Sequence, residues 1–408
     1  MKKYLSLVLA VMILVSAFVS CGNEIDINED NSSQTGTQNS ESELNNSSAP
    51  DDSTGGAPIE ISSATDGNSS EDESKTPETE SKNPAYEPQG GEFSFPNGLL
   101  LIGDRCMESF GGSYDNANLY YQYVTEHKDK LGEDVNVYSM VVPTASSIYL
   151  QELVIDGENY YDKYGGKQVD KLGYLDELFE EDDKVVSVNV YDTLFEHWNE
   201  AIYFRTDWHW TQLGAYYAAK LLGEKAGLEI ADINSDYYTK AGKYNEDGSF
   251  KPFLGSLYAS AGRPQALKNS PEEFFWYEFN HEYTVDYYDR ETGTKLKTTR
   301  TTCYPNISDD YVSSWYMTFL DADNNVCKIN TGTKNGRVAV VFKDSFGNCF
   351  APMLSSMFET VYTVDFRYFT GNSVTFCQDV GATDVIFALS SFSAMGPNCL
   401  NIGRMVRR

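Results

Sequence analysis

The feature that most constrains this chain is an alternation of short apolar runs and helical stretches between residues 99 and 389. Leu99-Leu100-Leu101-Ile102, Val135 to Val142, Val185 to Val190, Arg337 to Phe342, Val361 to Phe366 and Asp384 to Leu389 have the length and content of buried strands. Residues 115–131, 147–155, 170–181 and 349–358 read as helices, with a short one over 192–200 and another from Thr211 to about Gly227. This order predicts an α/β fold with a mostly parallel sheet and helices on both faces. Residues 228–334 break the pattern. Phe274-Trp276-Glu278 and Tyr283-Val285-Tyr287 alternate about Asn280-His281, and Asp289 to Gly293 supports a turn. They read as an antiparallel, β-rich insertion. Its many Tyr and Trp rings have the chemistry to stack on sugars, but strands use the same residues for packing.

The folded domain is expected to span residues 91–408. Residues 1–20 have the form of a signal peptide, with Lys2 and Lys3 ahead of an apolar run from Tyr4 to Val19. Phe18-Val19-Ser20-Cys21-Gly22 resembles a bacterial lipobox, which implies cleavage before Cys21 and a lipid on its thiol. The expected location is therefore outside the cytoplasm, on the membrane through that lipid, with simple secretion as the alternative. Residues 21–90 are dominated by Ser, Asn, Thr, Glu, Asp, Gly and Pro. A segment with so few large apolar side chains cannot offset its chain entropy and reads as a disordered acidic tether.

Charge narrows the partners. The chain carries 61 acidic and 31 basic residues, a net charge of -30. The tether accounts for part of this, yet residues 91–408 still hold 45 acidic against 27 basic residues. That surface excludes nucleic acid, which needs a basic footprint, and suits a neutral or cationic ligand. The seven cysteines include no C-x-x-C pair, so a zinc ribbon is not expected. Six remain beyond Cys21. Disulfides and buried free thiols both fit them.

The candidate chemistry lies in two stretches. In Tyr203-Phe204-Arg205-Thr206-Asp207-Trp208-His209-Trp210-Thr211, one of only four histidines follows a carboxylate by two residues. An extended backbone would point Asp207 and His209 to one side and Trp208 to the other. Thr211 can cap the next helix, whose positive end disfavours a protonated imidazole and so suits a general base. An isolated D-x-H is more often core packing than chemistry. The second stretch, Lys343-Asp344-Ser345-Phe346-Gly347-Asn348, puts Ser345 at a strand-to-helix turn above the carboxyl edge of a sheet. Following backbone N–H groups could hold an oxyanion there. Gly347 would let substrate approach the main chain. Asn348 could cap the helix or donate to the oxyanion, capping being the plainer role.

These stretches resemble the DHHW family, which is similar to the SGNH-type O-acetyltransferase and esterase domains of bacterial alginate-acetylation proteins. Val142-Pro143-Thr144, Phe253-Leu254-Gly255-Ser256-Leu257-Tyr258 and Asp365-Phe366-Arg367-Tyr368-Phe369 add to the likeness. The resemblance implies an SGNH-like three-layer α/β/α fold in permuted motif order, with acid and base ahead of the serine. It implies Ser345 as nucleophile, His209 as base, Asp207 as its orienter and Arg367 near the site. Trp208 replaces the first His of the family name, and Lys343 replaces the usual Gly before Asp-Ser. The implied function is a serine-dependent O-acetyltransferase or acetylesterase acting on a surface or extracellular glycan. It needs no cofactor or metal, and a membrane partner would hand over acyl groups. A glycan-binding or assembly lipoprotein on the same fold is the first alternative. A metal protein using His209, Asp207, His197 or His281 is a poorer one, because their spacing matches no ligand motif.

Overall fold

The computed structural model describes residues 91–408 apart from residues 152 and 290–292. The signal peptide, Cys21 and the tether all lie outside the described residues. Among the described residues no helix is long and apolar enough to cross a membrane.

A seven-stranded sheet forms the centre. In chain order its strands are β1 (Asn136–Val142), β2 (Val186–Ser187), β3 (Thr284–Tyr288), β4 (Val326–Asn330), β5 (Val338–Lys343), β6 (Thr360–Asp365) and β7 (Asp384–Ser390). Their spatial order is β3-β4-β6-β5-β7-β1-β2. The run from β6 to β2 is parallel throughout, while β4 is antiparallel to both β6 and β3. β5 is thus flanked by β6 and β7, both later in the chain.

Alternation along β5 and β7 divides the core. Ala339 and Val341, with Ile386 and Ala388, face one cluster that includes Ala215, Ala218, Ala219 and Leu222 of helix α3 (Gln212–Ala226). Val340 and Phe342, with Val385, Phe387 and Leu389, face the other. That second cluster takes Ala117, Tyr120 and Val124 from α1 (Tyr114–Leu131), and Leu172, Leu175 and Phe179 from α2 (Gln168–Asp182). A strand covered on both faces must be apolar at every position, as the Val-Ala-Val-Val-Phe run of β5 is. The architecture is the three-layer α/β/α sandwich with a mostly parallel sheet. Helix ends follow the expected chemistry: Ser113 and Thr211 cap α1 and α3, and Gly227 closes α3 at φ 64°.

Two regions differ from the sequence reading. Leu100–Ile102 is a strand, but it pairs antiparallel with Phe93–Ser94 and Arg105–Met107 in a separate three-stranded sheet. The region 228–334 is not one hairpin insertion. Phe275–Phe279 pairs with Tyr238–Gly242, whereas Thr284–Tyr288 and Val326–Asn330 extend the central sheet as β3 and β4. Alternation shows that a segment is a strand but not which neighbour it meets. Many aromatics of this region are buried. Phe253, Phe274, Trp315 and Phe319 are almost completely enclosed. Phe204 packs against Phe253 and Phe274 at 5.2 and 5.6 Å between ring centroids. This aromatic layer backs the loop that carries His209.

Candidate active site

The Asp207–His209 segment is a loop, not a strand. It is closed by an antiparallel bridge between Tyr203 and Trp210, and the Phe204 N–H donates to the His209 carbonyl at 3.2 Å. Glu272 ties the loop from outside by accepting from the N–H groups of Arg205 (2.7 Å) and Thr206 (2.8 Å). Thr206 Oγ1 in turn accepts from the Gly255 N–H at 2.9 Å. Asp207 and His209 meet because the chain turns back on itself. Asp207 Oδ1 accepts from the His209 N–H at 3.3 Å, a local Asx-type contact, and lies 2.6 Å from His209 Nδ1. Trp208 packs into the small cluster of Leu99, Leu101, Cys106 and Leu257.

Ser345 lies two residues beyond the end of β5 and just ahead of helix α4 (Gly347–Met353). His209 Nε2 is 2.8 Å from Ser345 Oγ. The residues predicted from two distant stretches are therefore adjacent at the carboxyl edge of the sheet. The neutral tautomer that satisfies both bonds carries its hydrogen on Nδ1 and accepts at Nε2. Ser345 and His209 retain 7% and 6% of their surface, whereas Asp207 retains 2%. All three are buried, the carboxylate most completely.

Asp207 has further partners. Its Oδ2 accepts from Ser256 N–H at 2.8 Å and Ser256 Oγ at 2.7 Å. Burial pushes this carboxyl up, but the His209 contact and the two Ser256 donors outweigh it and hold the group below its ordinary value. A Cβ at Gly255 would lie 2.5 Å from Asp207 Cβ, so only glycine lets the Ser256 seat come this close. Tyr316 was not legible in the sequence at all. Its ring stacks on the His209 imidazole at 3.7 Å and 5°, and its hydroxyl donates to the Ser345 carbonyl at 2.9 Å.

The expected oxyanion and substrate groups are differently placed. The N–H groups after Ser345 are engaged within the turn. Phe346 donates to Asp344 Oδ1 (3.0 Å), Gly347 to the Asp344 carbonyl (3.1 Å) and Asn348 to the Ser345 carbonyl (3.1 Å). Among the described residues, the Ser345 N–H meets no acceptor. Gly347 is required by packing: a Cβ there would sit 2.4 Å from Lys343 Cβ. Asn348 is inside α4 and caps nothing; its Nδ2 donates to Asp323 Oδ1 at 3.0 Å. Arg367 is held by Asp365 at 2.9 and 2.6 Å and by Asp323 at 3.1 Å. Lys343 Nζ pairs with Asp365 Oδ2 at 3.2 Å, both almost wholly buried. Two cations and two carboxylates thus form a closed cluster beside the serine. Burial pushes the Asp323 carboxyl up, but Arg367 and Lys343 overcome this and bring it down to about 2.

The remaining histidines have structural settings. His127 is enclosed 2.9 Å from Ser373 Oγ, His197 stacks on Tyr217, and His281 lies 3.1 Å from the Tyr237 hydroxyl. Among the described residues no group of three or more His, Cys, Asp or Glu side chains could hold a metal ion. Cys106, Cys303, Cys327, Cys349, Cys377 and Cys399 are all free and buried, which decides between the two readings left open for them.

A three-layer α/β sandwich with a serine, an imidazole and a carboxylate in line at the carboxyl edge of its sheet has the arrangement of a serine–histidine–carboxylate triad. Comparison with known proteins gives the family. The family described as DHHW protein matches residues 20–364, and the chain belongs to it. It is similar to the solved structure of a DHHW family protein from Eubacterium siraeum, with 33% identity over 78% of this chain and 98% of that one, at a TM-score of 0.67. The fold is also that of Bacillus cereus PatB1, solved with a sulfonyl adduct, at 17% identity, 74% and 97% coverage and a TM-score of 0.55. No curated protein matches the sequence.

Proposed function

We propose that this chain is a serine-dependent enzyme that transfers or hydrolyses acetyl esters on a surface or extracellular glycan. The observation that carries the reading is the unbroken line Ser345 Oγ, His209 Nε2, His209 Nδ1, Asp207 Oδ1, with contacts of 2.8 and 2.6 Å. Ser345 Oγ attacks the acyl carbonyl carbon as its proton passes to His209 Nε2. The imidazolium is stabilised by Asp207, which keeps its own charge because Ser256 and His209 hold it ionised. The Ser345 N–H is the backbone donor of this turn left free to serve the developing oxyanion. Collapse of the tetrahedral species expels the sugar oxygen, which takes the proton from His209 and leaves an acetyl ester on Ser345. A sugar hydroxyl or water then gives its proton to His209 Nε2 and attacks that ester, and collapse of the second tetrahedral species expels Ser345 Oγ, which takes the proton back from His209. Part of the reading concerns residues outside the described region: Cys21 carries a lipid that keeps the enzyme on the outer face of the membrane, near a partner that supplies acyl groups.

The test compares the parent with Ser345→Ala on a small acetyl ester and on acetylated glycans. Release or transfer of acetate by the parent, lost in the variant, is the expected result. Equal activity in both, or none in either, sinks the reading. A sulfonyl fluoride should modify the parent at Ser345 and leave the variant unmodified. Radiolabelled palmitate supplied to expressing cells should enter the chain through Cys21 and fail to enter Cys21→Ser.

A further inference from the structure

Hydrogen bonds at the two nitrogens of His209 fix the axis between them but leave the ring free to tilt about it. Tyr316 removes that freedom. Its ring lies flat against the imidazole at 3.7 Å, and Phe346 packs at a tilt 5.2 Å away. We propose that Tyr316 is a positioning residue with two tasks: its ring face stabilises the imidazolium that forms on His209, and its hydroxyl fixes the turn that carries Ser345. The proposal rests on the serine–histidine reading above.

The first task follows from charge. A cation over an aromatic face is attracted by the ring quadrupole, more so where water is excluded. Tyr316 retains only 2% of its surface and His209 only 6%. The imidazole becomes cationic as it takes the serine proton, so the attraction is stronger in the transition state than before it. The second task follows from the hydroxyl. The Ser345 carbonyl accepts from both Tyr316 (2.9 Å) and Asn348 N–H (3.1 Å), which holds the turn from two sides. Burial keeps the Tyr316 hydroxyl protonated, as a donor must be. The titratable groups facing this assembly are Asp207 on the loop, Asp323 beyond Tyr316, and the Cys349 thiol of α4, 3.4 Å from the Tyr316 hydroxyl. Burial pushes that thiol up to about 12, so it stays neutral.

The experiment measures the rate of sulfonyl fluoride modification of Ser345 against pH in the full chain, alongside an NMR titration of the His209 imidazole. Tyr316→Leu removes the face. The base should then lose its proton at lower pH, moving the midpoint of both profiles down by roughly half to one unit, with a plateau rate about tenfold lower. Tyr316→Phe keeps the face and loses the hydroxyl. Its midpoint should stay in place while the plateau falls about threefold to tenfold. A merely structural role lowers rates without moving a midpoint. If Tyr316→Leu does not fold, a fluorinated phenylalanine at 316 keeps the shape, weakens the quadrupole and should give the same downward shift. An imidazole titration unmoved by loss or fluorination of the ring overturns the proposal while leaving the enzyme reading intact. A shifted titration in a protein whose Ser345 is never modified does the reverse.

Discussion

Two groups of charged and polar side chains sit at the same end of the sheet and behave oppositely. Lys343, Asp365, Arg367 and Asp323 form a sealed set, closed by ion pairing rather than by burial, in which every charge has a partner. Asp207, His209 and Ser345 form a hydrogen-bonded line that ends on an uncharged hydroxyl. Lys343 and Ser345 leave the same strand two residues apart. The sealed set stabilises position and has no capacity left for a ligand. The line ends on a hydroxyl held by a single hydrogen bond and by no ion pair. This contrast also explains why the sequence departure at Lys343 is compatible with an intact Ser345 turn. The lysine is drawn away by Asp365, and its stem packs against Gly347 without entering the site.

Substitutions should separate the two groups. The largest effect is expected from Ser345→Ala, a loss of at least ~10³-fold in turnover with little change in a thermal melt. A melt that collapses would assign the serine to the sealed set. Lys343→Met should do the opposite. It leaves Asp365 facing Arg367 alone in a buried place and should cost about 3–5 kcal/mol in denaturant titrations. An unchanged midpoint would mean that the pair is not buried in solution.

Asp323→Asn should cost on the order of 2 kcal/mol near neutral pH, from a carboxyl held at about 2 against an ordinary 3.8. The sign is fixed by which state binds protons more readily. The unfolded carboxyl protonates first as pH falls, so its contribution is complete above about pH 4 and is lost as pH falls through about 2. Stability of the parent should therefore decline more steeply than that of Asp323→Asn over this window, and parallel curves would refute the assignment. Gly347→Ala should cost about 1–3 kcal/mol, because its Cβ meets the stem of Lys343, and an unchanged melt would mean that the stem gives way freely.

What could be read in advance follows the range of each interaction. Asp207 and His209 are two residues apart, and Ser345 lies at a strand end recognisable from its apolar run. Their meeting needed only the parallel topology that the alternation implies. Ser256 lay within a stretch already matched to the family, but nothing local says that it faces Asp207. Tyr316 and Asp323 had still less signal. Asp309–Asp321 is a succession of tight turns without helical or strand periodicity, so no face of it could be assigned. Asn348 and Arg367 are a related case. Their acceptors, Asp323 and Asp365, are set by tertiary contacts that no local pattern announces. The partners of β3 and β4 were hidden similarly, because alternation fixes which side chains face inward and not which strand lies alongside.

The position of β5 between β6 and β7 has a consequence for how the protein comes into being. The loop bearing Asp207 and His209 is synthesised well before Ser345. The strand that carries Ser345 must then wait for two later neighbours, the second ending at Ser390. Ser345 can take its place beside His209 only after the last strand has been made, so a polypeptide that stops short of Ser390 lacks the assembled line.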